Sequence, residues 1–141
     1  MSWAGKKSVI DSFRSLFKKK EQAPSFSVHT ISRLECQIQT WEDSKAYRIP
    51  DRSLSESAKR IGTDAVTLYR YFRYHRGIDF RTYRTRLRIE DAKAMLLAEP
   101  DTPASLIGRR VGYRDRSNFT THFRELTGHT PDVWRRKNSL S

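Results

Sequence analysis

Arg70, Arg73, Arg76, Arg81, Arg84, Arg86 and Arg88 fall in one stretch whose only acid is Asp79, and Tyr69, Tyr71, Phe72, Tyr74, Phe80 and Tyr83 interleave with them. Planar guanidinium forks match phosphate oxygens and guanine edges better than the point charges of lysine do. The whole chain leans the same way, with 28 Lys+Arg against 16 Asp+Glu, a net charge of +12 and a pI near 10.3. A polyanion is therefore the expected partner, nucleic acid first and an anionic membrane surface second. Catalytic patterns are missing. His29, His75, His122 and His129 are scattered, with no HExxH, GxSxG, phosphate-binding loop or paired-carboxylate pattern. The expectation is no enzyme, no cofactor and no metal site, with His75 and His122 as surface or phosphate contacts. Cys36 is the single thiol; it excludes an internal disulfide and suits a reducing cytoplasm.

A chain of 141 residues at 36% hydrophobic allows one compact domain or two very small lobes. The longest apolar run, Ala94 to Ala98, is far short of the ~20 residues that span a bilayer. Residues 1–28 read as a basic arm and linker. Val9, Ile10, Phe13, Leu16 and Phe17 form one stripe among lysines that include Lys18, Lys19 and Lys20, and Pro24 marks the linker. A helix is predicted from about His29 to Ala46, with Ile31, Leu34, Ile38 and Trp41 inward and Cys36 on the opposite face.

From Leu54 onward the chain repeats itself. Ala58 to Gly62 is echoed by Gly108 to Gly112, and beyond that point Leu68 matches Phe119, Phe72 matches Phe123, Gly77 matches Gly128 and Tyr83 matches Trp134. Each copy reads as a short helix, a turn at glycine, an aspartate N-cap (Asp64, Asp115) and a longer helix ending at glycine. The inward stripes are Ala65, Leu68 and Phe72, then Phe119, Phe123 and Leu126. The opposite faces carry Val66, Tyr69, Arg70 and Arg73 in the first copy and Ser117, Thr120, Thr121 and Arg124 in the second. Between the copies, Asp79 to Ala98 has a broad apolar stripe of Phe80, Tyr83, Leu87, Ile89, Ala92, Leu96 and Leu97. Such a helix is roughly 30 Å long, close to the ~34 Å between successive major-groove faces of B-DNA.

These residues resemble the DNA-binding domain of the AraC/XylS family of bacterial transcription regulators over about residues 54–137. The motifs that carry the resemblance are Ala58-x-x-Ile-Gly62, Leu68-x-x-x-Phe72, Phe80-x-x-Tyr83, Arg88-Ile89-x-x-Ala92, Val111-Gly112-Tyr113, Ser117-Asn118-Phe119-x-x-x-Phe123, Gly128-x-x-Pro131 and Trp134-Arg135. The resemblance implies an all-α domain, two helix-turn-helix lobes joined by a long central helix, spanning 29–138 before a tail at 139–141. The lobes are expected at about 54–77 and 103–128, with the connecting helix at about 79–98. It further implies promoter binding, usually activation, and contact with RNA polymerase. Carried over by position, the base-reading candidates are Val66, Tyr69 and Arg70, then Arg116, Ser117, Asn118, Thr120 and Thr121; Arg73 and Arg124 extend the same faces. Many members carry a basic residue where this chain has Thr121, which implies a smaller share of discrimination for the second lobe.

Two other readings stay open at this point. The basic arm at 6–20 could lead a membrane-surface or protein-docking module, although five apolar anchors alone hold a bilayer weakly. The chain could also be the cytoplasmic DNA-binding part of a larger sensor-regulator, since 141 residues leave no room for a sensory domain.

Overall fold

The computed structural model describes residues 25–139. The basic amphipathic arm expected at 6–20 lies outside the described residues. Those that are described form seven α-helices and no strand: α1 (Val28–Asp43), α2 (Leu54–Ile61), α3 (Ala65–Tyr71), α4 (Phe80–Ala98), α5 (Ala104–Arg110), α6 (Arg116–Thr127) and α7 (Pro131–Asn138). A 3-10 turn, Ala46–Arg48, follows α1, and α3 widens into a π-helical stretch, Phe72–Arg76. The fold is all-α, with two helix-turn-helix units, α2–α3 and α5–α6, joined by the long α4.

Local chemistry sets most of these boundaries. Side chains of Ser27, Ser53, Asp64, Asp79, Asp115 and Thr130 accept from backbone N–H groups in the first turns of α1, α2, α3, α4, α6 and α7, satisfying donors that a helix start leaves orphaned. The helix expected to run to Ala46 stops at Asp43, because Lys45 adopts a left-handed conformation (φ 58°) and the chain turns into the 3-10 segment. At the far end, Arg135 donates from Nε to the Leu96 carbonyl (3.0 Å) and from Nη2 to the Thr102 carbonyl (2.6 Å), closing the C-terminus of α4.

The core is divided in two. Leu34, Ile38, Trp41, Tyr47, Ala58, Ile61, Leu68, Tyr71, Phe72 and Phe80 pack in the first lobe, with Tyr83 and Leu87 against them. The second gathers Ile89, Ala92, Met95, Leu96, Ala104, Ile107, Val111, Tyr113, Phe119 and Phe123, with Trp134 alongside. So α4 serves the first core with its opening turns and the second with its closing ones. The repeat is consequently larger than a helix-turn-helix. Ile38 of α1 and Ile89 of α4 stand fifty-one residues apart and are both 1% exposed, while Asp79 and Thr130, at the same offset, cap α4 and α7. Each lobe is a helix, a helix-turn-helix and a closing helix, and α4 belongs to both.

Packing at the crossing of the paired helices differs between lobes in a compensating way. Ala58 in α2 faces a lobe built on Leu68, whereas the matching position in α5 is Gly108 and the matching core residue is Phe119. A Cβ on Gly108 would lie 2.5 Å from Phe119 Cδ2, so the larger ring occupies the space that the missing methyl leaves. Two expected stripe positions fall outside the core. Leu97 is 45% exposed because the inward place in the last turn of α4 belongs to Leu96, and Leu126 is 45% exposed in the last turn of α6, where the chain reverses at Gly128. Ala65 is half-buried.

Candidate nucleic-acid interface

The first candidate face lies along α3. Asp64 fixes where that helix begins by accepting from Thr67 N–H (2.9 Å) and Thr67 hydroxyl (2.8 Å), and those bonds hold its carboxyl below the usual carboxylate range. With Leu68 and Tyr71 buried, the helical period turns Val66 (57% exposed) and Tyr69 (40% exposed) outward. Arg70 is half-buried and has no hydrogen-bond or ion-pair partner among the described residues. Arg73, one turn on, donates from Nη1 to the Tyr69 hydroxyl (2.8 Å) and stacks over the Tyr69 and Tyr74 rings, 5.8 and 5.6 Å from their centroids. The four residues expected on this face thus share it, and two of them are coupled.

The second face lies on α6. Asp115 accepts from Ser117 N–H (2.7 Å) and Asn118 N–H (3.3 Å), which starts the helix, and buried Phe119 and Phe123 anchor its inner side. Arg116, Ser117, Asn118, Thr121 and Arg124 are exposed. Thr120 is half-buried and turns its hydroxyl to the Arg116 carbonyl (3.0 Å), so its donor is used within the helix.

The arginine-rich stretch does not act as one surface. Arg76 lies over the rings of Tyr71, Phe72 and Tyr83 and donates to the Tyr71 hydroxyl (3.0 Å). Arg84 stacks on Phe80 and donates to Ser57 Oγ (3.3 Å), within a network where Asp51 pairs with Arg60. Arg88 is 6% exposed. Burial and then the neighbouring Arg84 push its guanidinium down to about 10, which leaves it charged at neutral pH. Arg84 and Arg88 have the same spacing as the exposed arginines, and spacing alone does not say which face of α4 meets the core; Arg76, in the π-helical stretch, stays exposed beside the rings it covers. Of the two histidines expected as surface or phosphate contacts, His75 is exposed and stacks on Tyr71, whereas His122 is half-buried and its Nδ1 pairs with the Tyr113 hydroxyl (2.8 Å).

Two adjacent helix-turn-helix units, each turning an arginine-bearing helix face to solvent, define a DNA-binding domain of the bipartite kind. A family model described as a helix-turn-helix domain matches residues 57–137. The chain belongs to the AraC/XylS family of helix-turn-helix DNA-binding domains. It is 30% identical over 82 residues to the arabinose operon regulatory protein of Escherichia coli, a match covering 58% of this chain and 28% of that protein. It is 32% identical over 90 residues to the uncharacterized transcriptional regulatory protein YesN of Bacillus subtilis, covering 62% and 24% respectively. The chain therefore spans less than a third of the curated relatives it matches. Among solved structures, the C-terminal domain of AraT, a response regulator from Geobacillus stearothermophilus, superposes with a TM-score of 0.67 at 27% identity, covering 84% of this chain and 92% of that one. No helix among the described residues is long and apolar enough to cross a membrane.

Proposed function

We propose that this chain is a sequence-specific regulator of transcription that inserts α3 and α6 into successive major-groove segments of a promoter. The observation that supports it most is the pairing of two like helix-turn-helix units in which the guanidinium groups of Arg70, Arg116 and Arg124 have no intramolecular partner among the described residues. Unpaired forks beside polar and apolar contacts are what base-edge reading requires. Arg70 and Arg73 take guanine edges or the adjacent phosphates, and Val66 and Tyr69 supply apolar or hydroxyl contacts beside them. On α6, Asn118 suits an adenine edge, Arg116 and Arg124 suit guanine or phosphate, and Ser117, Thr120 and Thr121 add short-range contacts. Activation through contact with RNA polymerase completes the reading. The test is selection of bound genomic fragments by the purified chain, followed by footprinting and by a promoter reporter with and without it. An enriched bipartite motif whose promoter rises with the chain supports the proposal. Equal affinity for random duplex and selected fragments would sink it.

A further inference from the structure

Gln37 of α1 and Arg88 of α4 hold equivalent places in the two lobes, and each backs the glycine turn of its own helix-turn-helix. A Cβ on Gly62 would stand 2.9 Å from Gln37 Nε2; a Cβ on Gly112 would stand 2.6 Å from Arg88 Nε and 2.9 Å from the Arg48 carbonyl. Both glycines have positive φ, 104° and 117°, so close approach and backbone conformation together exclude a side chain there. The two backing residues differ in reach. Gln37 donates to Gly62 O within the first lobe (3.2 Å). Arg88 touches both lobes at once: Nε donates to the Tyr47 carbonyl (2.7 Å) and Nη2 to the Ile49 carbonyl (2.9 Å), while its guanidinium lies 5.6 Å from the Tyr113 ring centroid in the second lobe. The Tyr113 hydroxyl in turn pairs with His122 on α6.

We propose that Arg88 is a positioning residue that fixes the orientation of one helix-turn-helix unit against the other, and thereby sets the spacing of the two DNA segments that a single chain reads together. The inference rests on the DNA-binding reading above. Helix α4 by itself fixes the distance between lobes along its axis but resists rolling of one lobe about that axis only through the contacts that flank it. Arg88 sits where α4 passes from the first core to the second, and it reaches off the axis by hydrogen bonds to the carbonyls of Tyr47 and Ile49 on one side and by contact with the Tyr113 ring on the other. One turn further, Asp91 adds a parallel tie, accepting from Arg48 Nε (2.6 Å), Arg48 Nη2 (2.8 Å) and the Tyr47 hydroxyl (3.0 Å). The choice of arginine follows from the geometry. A buried cation that meets carbonyls and a ring rather than a carboxylate is costly to retain, and only a planar fork bonds two carbonyls while lying flat on an aromatic face.

The experiment reads the seam with and without DNA. Nitroxide labels on the exposed Cys36 of α1 and on an exposed Glu125→Cys position of α6 report the distance distribution between lobes. The otherwise unchanged chain should give one narrow distribution. Arg88→Lys, which keeps the charge and loses the fork, should broaden it. On duplexes carrying the selected bipartite site with one base pair added or removed between its parts, the unchanged chain should lose about tenfold in affinity, the scale of a lost base contact. Arg88→Lys should lose less than about threefold on the same duplexes, with affinity for an isolated half-site preserved. Should thermal melting show that variant unfolded, Tyr113→Leu removes the stack while leaving both carbonyl bonds and carries the same comparison. A folded variant as narrow and as spacing-sensitive as the parent overturns the inference, as does one that weakens the isolated half-site as much as the whole site. A parent chain with no preferred duplex sequence overturns the DNA reading, and the label distances then decide the clasp alone.

Discussion

Tyr69 links two roles on one helix face: its hydroxyl accepts from Arg73 while 40% of its surface stays open to a partner. Held this way, Arg73 has a preferred direction before DNA arrives, which lowers the ordering cost of binding. Arg70, without such a partner among the described residues, keeps all five donors for the duplex. Arg70→Ala should therefore cost roughly 1–3 kcal/mol of specific binding and much less on random DNA. Tyr69→Phe removes one acceptor of Arg73 without removing the ring, so its effect should vary with operator sequence. Competition gel shifts on selected and random duplexes check both; equal losses on the two would show that these residues hold backbone, not bases. The exposed faces of α3 and α6 were legible in the sequence, because helical period and two buried aromatic or leucine anchors suffice to say which side points outward. The coupling of Tyr69 to Arg73 was not, since spacing four residues apart permits the contact without specifying it.

At the scale of elements, the compensating pair in the second lobe offers a sharp test of packing. Gly108→Ala pushes a methyl to within 2.5 Å of the buried Phe119 ring and should destabilise the chain by about 1–3 kcal/mol. Phe119→Leu, the combination that the first lobe uses at Ala58 and Leu68, should recover much of that loss, so the double variant melts above the Gly108→Ala single. Additive losses in a double-mutant cycle would mean that the two positions do not share the space. A second test concerns the tie between the 3-10 turn and α4. Burial works to raise the Asp91 carboxyl, but hydrogen bonds from Arg48 and Tyr47 outweigh it and hold the group below its ordinary value. A carboxyl depressed in the folded state contributes stability that is present above its unfolded pKa and is lost as the pH falls through its folded one. The loss belongs to acid below about pH 4. Asp91→Asn should lower stability at neutral pH by about 1–3 kcal/mol and flatten the acid limb of a denaturation series. Aspartate caps, glycine stops and the length of α4 could be read from the chain because each is local. The seam at Arg88 could not: the carbonyls that Arg88 bonds lie 41 and 39 residues away, and no periodicity records a contact of that range.

Across the whole molecule, the sharing of α4 by both lobes makes geometry the strongest constraint on function. The nineteen residues of α4, at about 1.5 Å each, make a helix of roughly 30 Å, comparable to the ~34 Å helical repeat of B-DNA. On the proposed reading both units face the same side of the duplex, in adjacent major-groove segments centred ~10 bp apart. The two exposed faces differ in chemistry: α3 offers Tyr69, Arg70 and Arg73, whereas α6 offers Arg116, Asn118, Arg124 and short hydroxyl side chains. A single chain should accordingly protect a non-palindromic site, and base changes under α3 should cost more than changes under α6. Inserting five base pairs between the two parts rotates one by about half a turn and moves it ~17 Å along the axis. With the lobes tied through Arg88, Arg48 and Asp91, the chain cannot follow that rotation, and affinity should fall to that of the better half-site alone. Footprinting on the parent and inserted duplexes makes the comparison directly. Full-strength binding after the insertion, or a site that is palindromic and occupied by two chains, would replace the two-headed monomer with a pair of chains each reading through one unit.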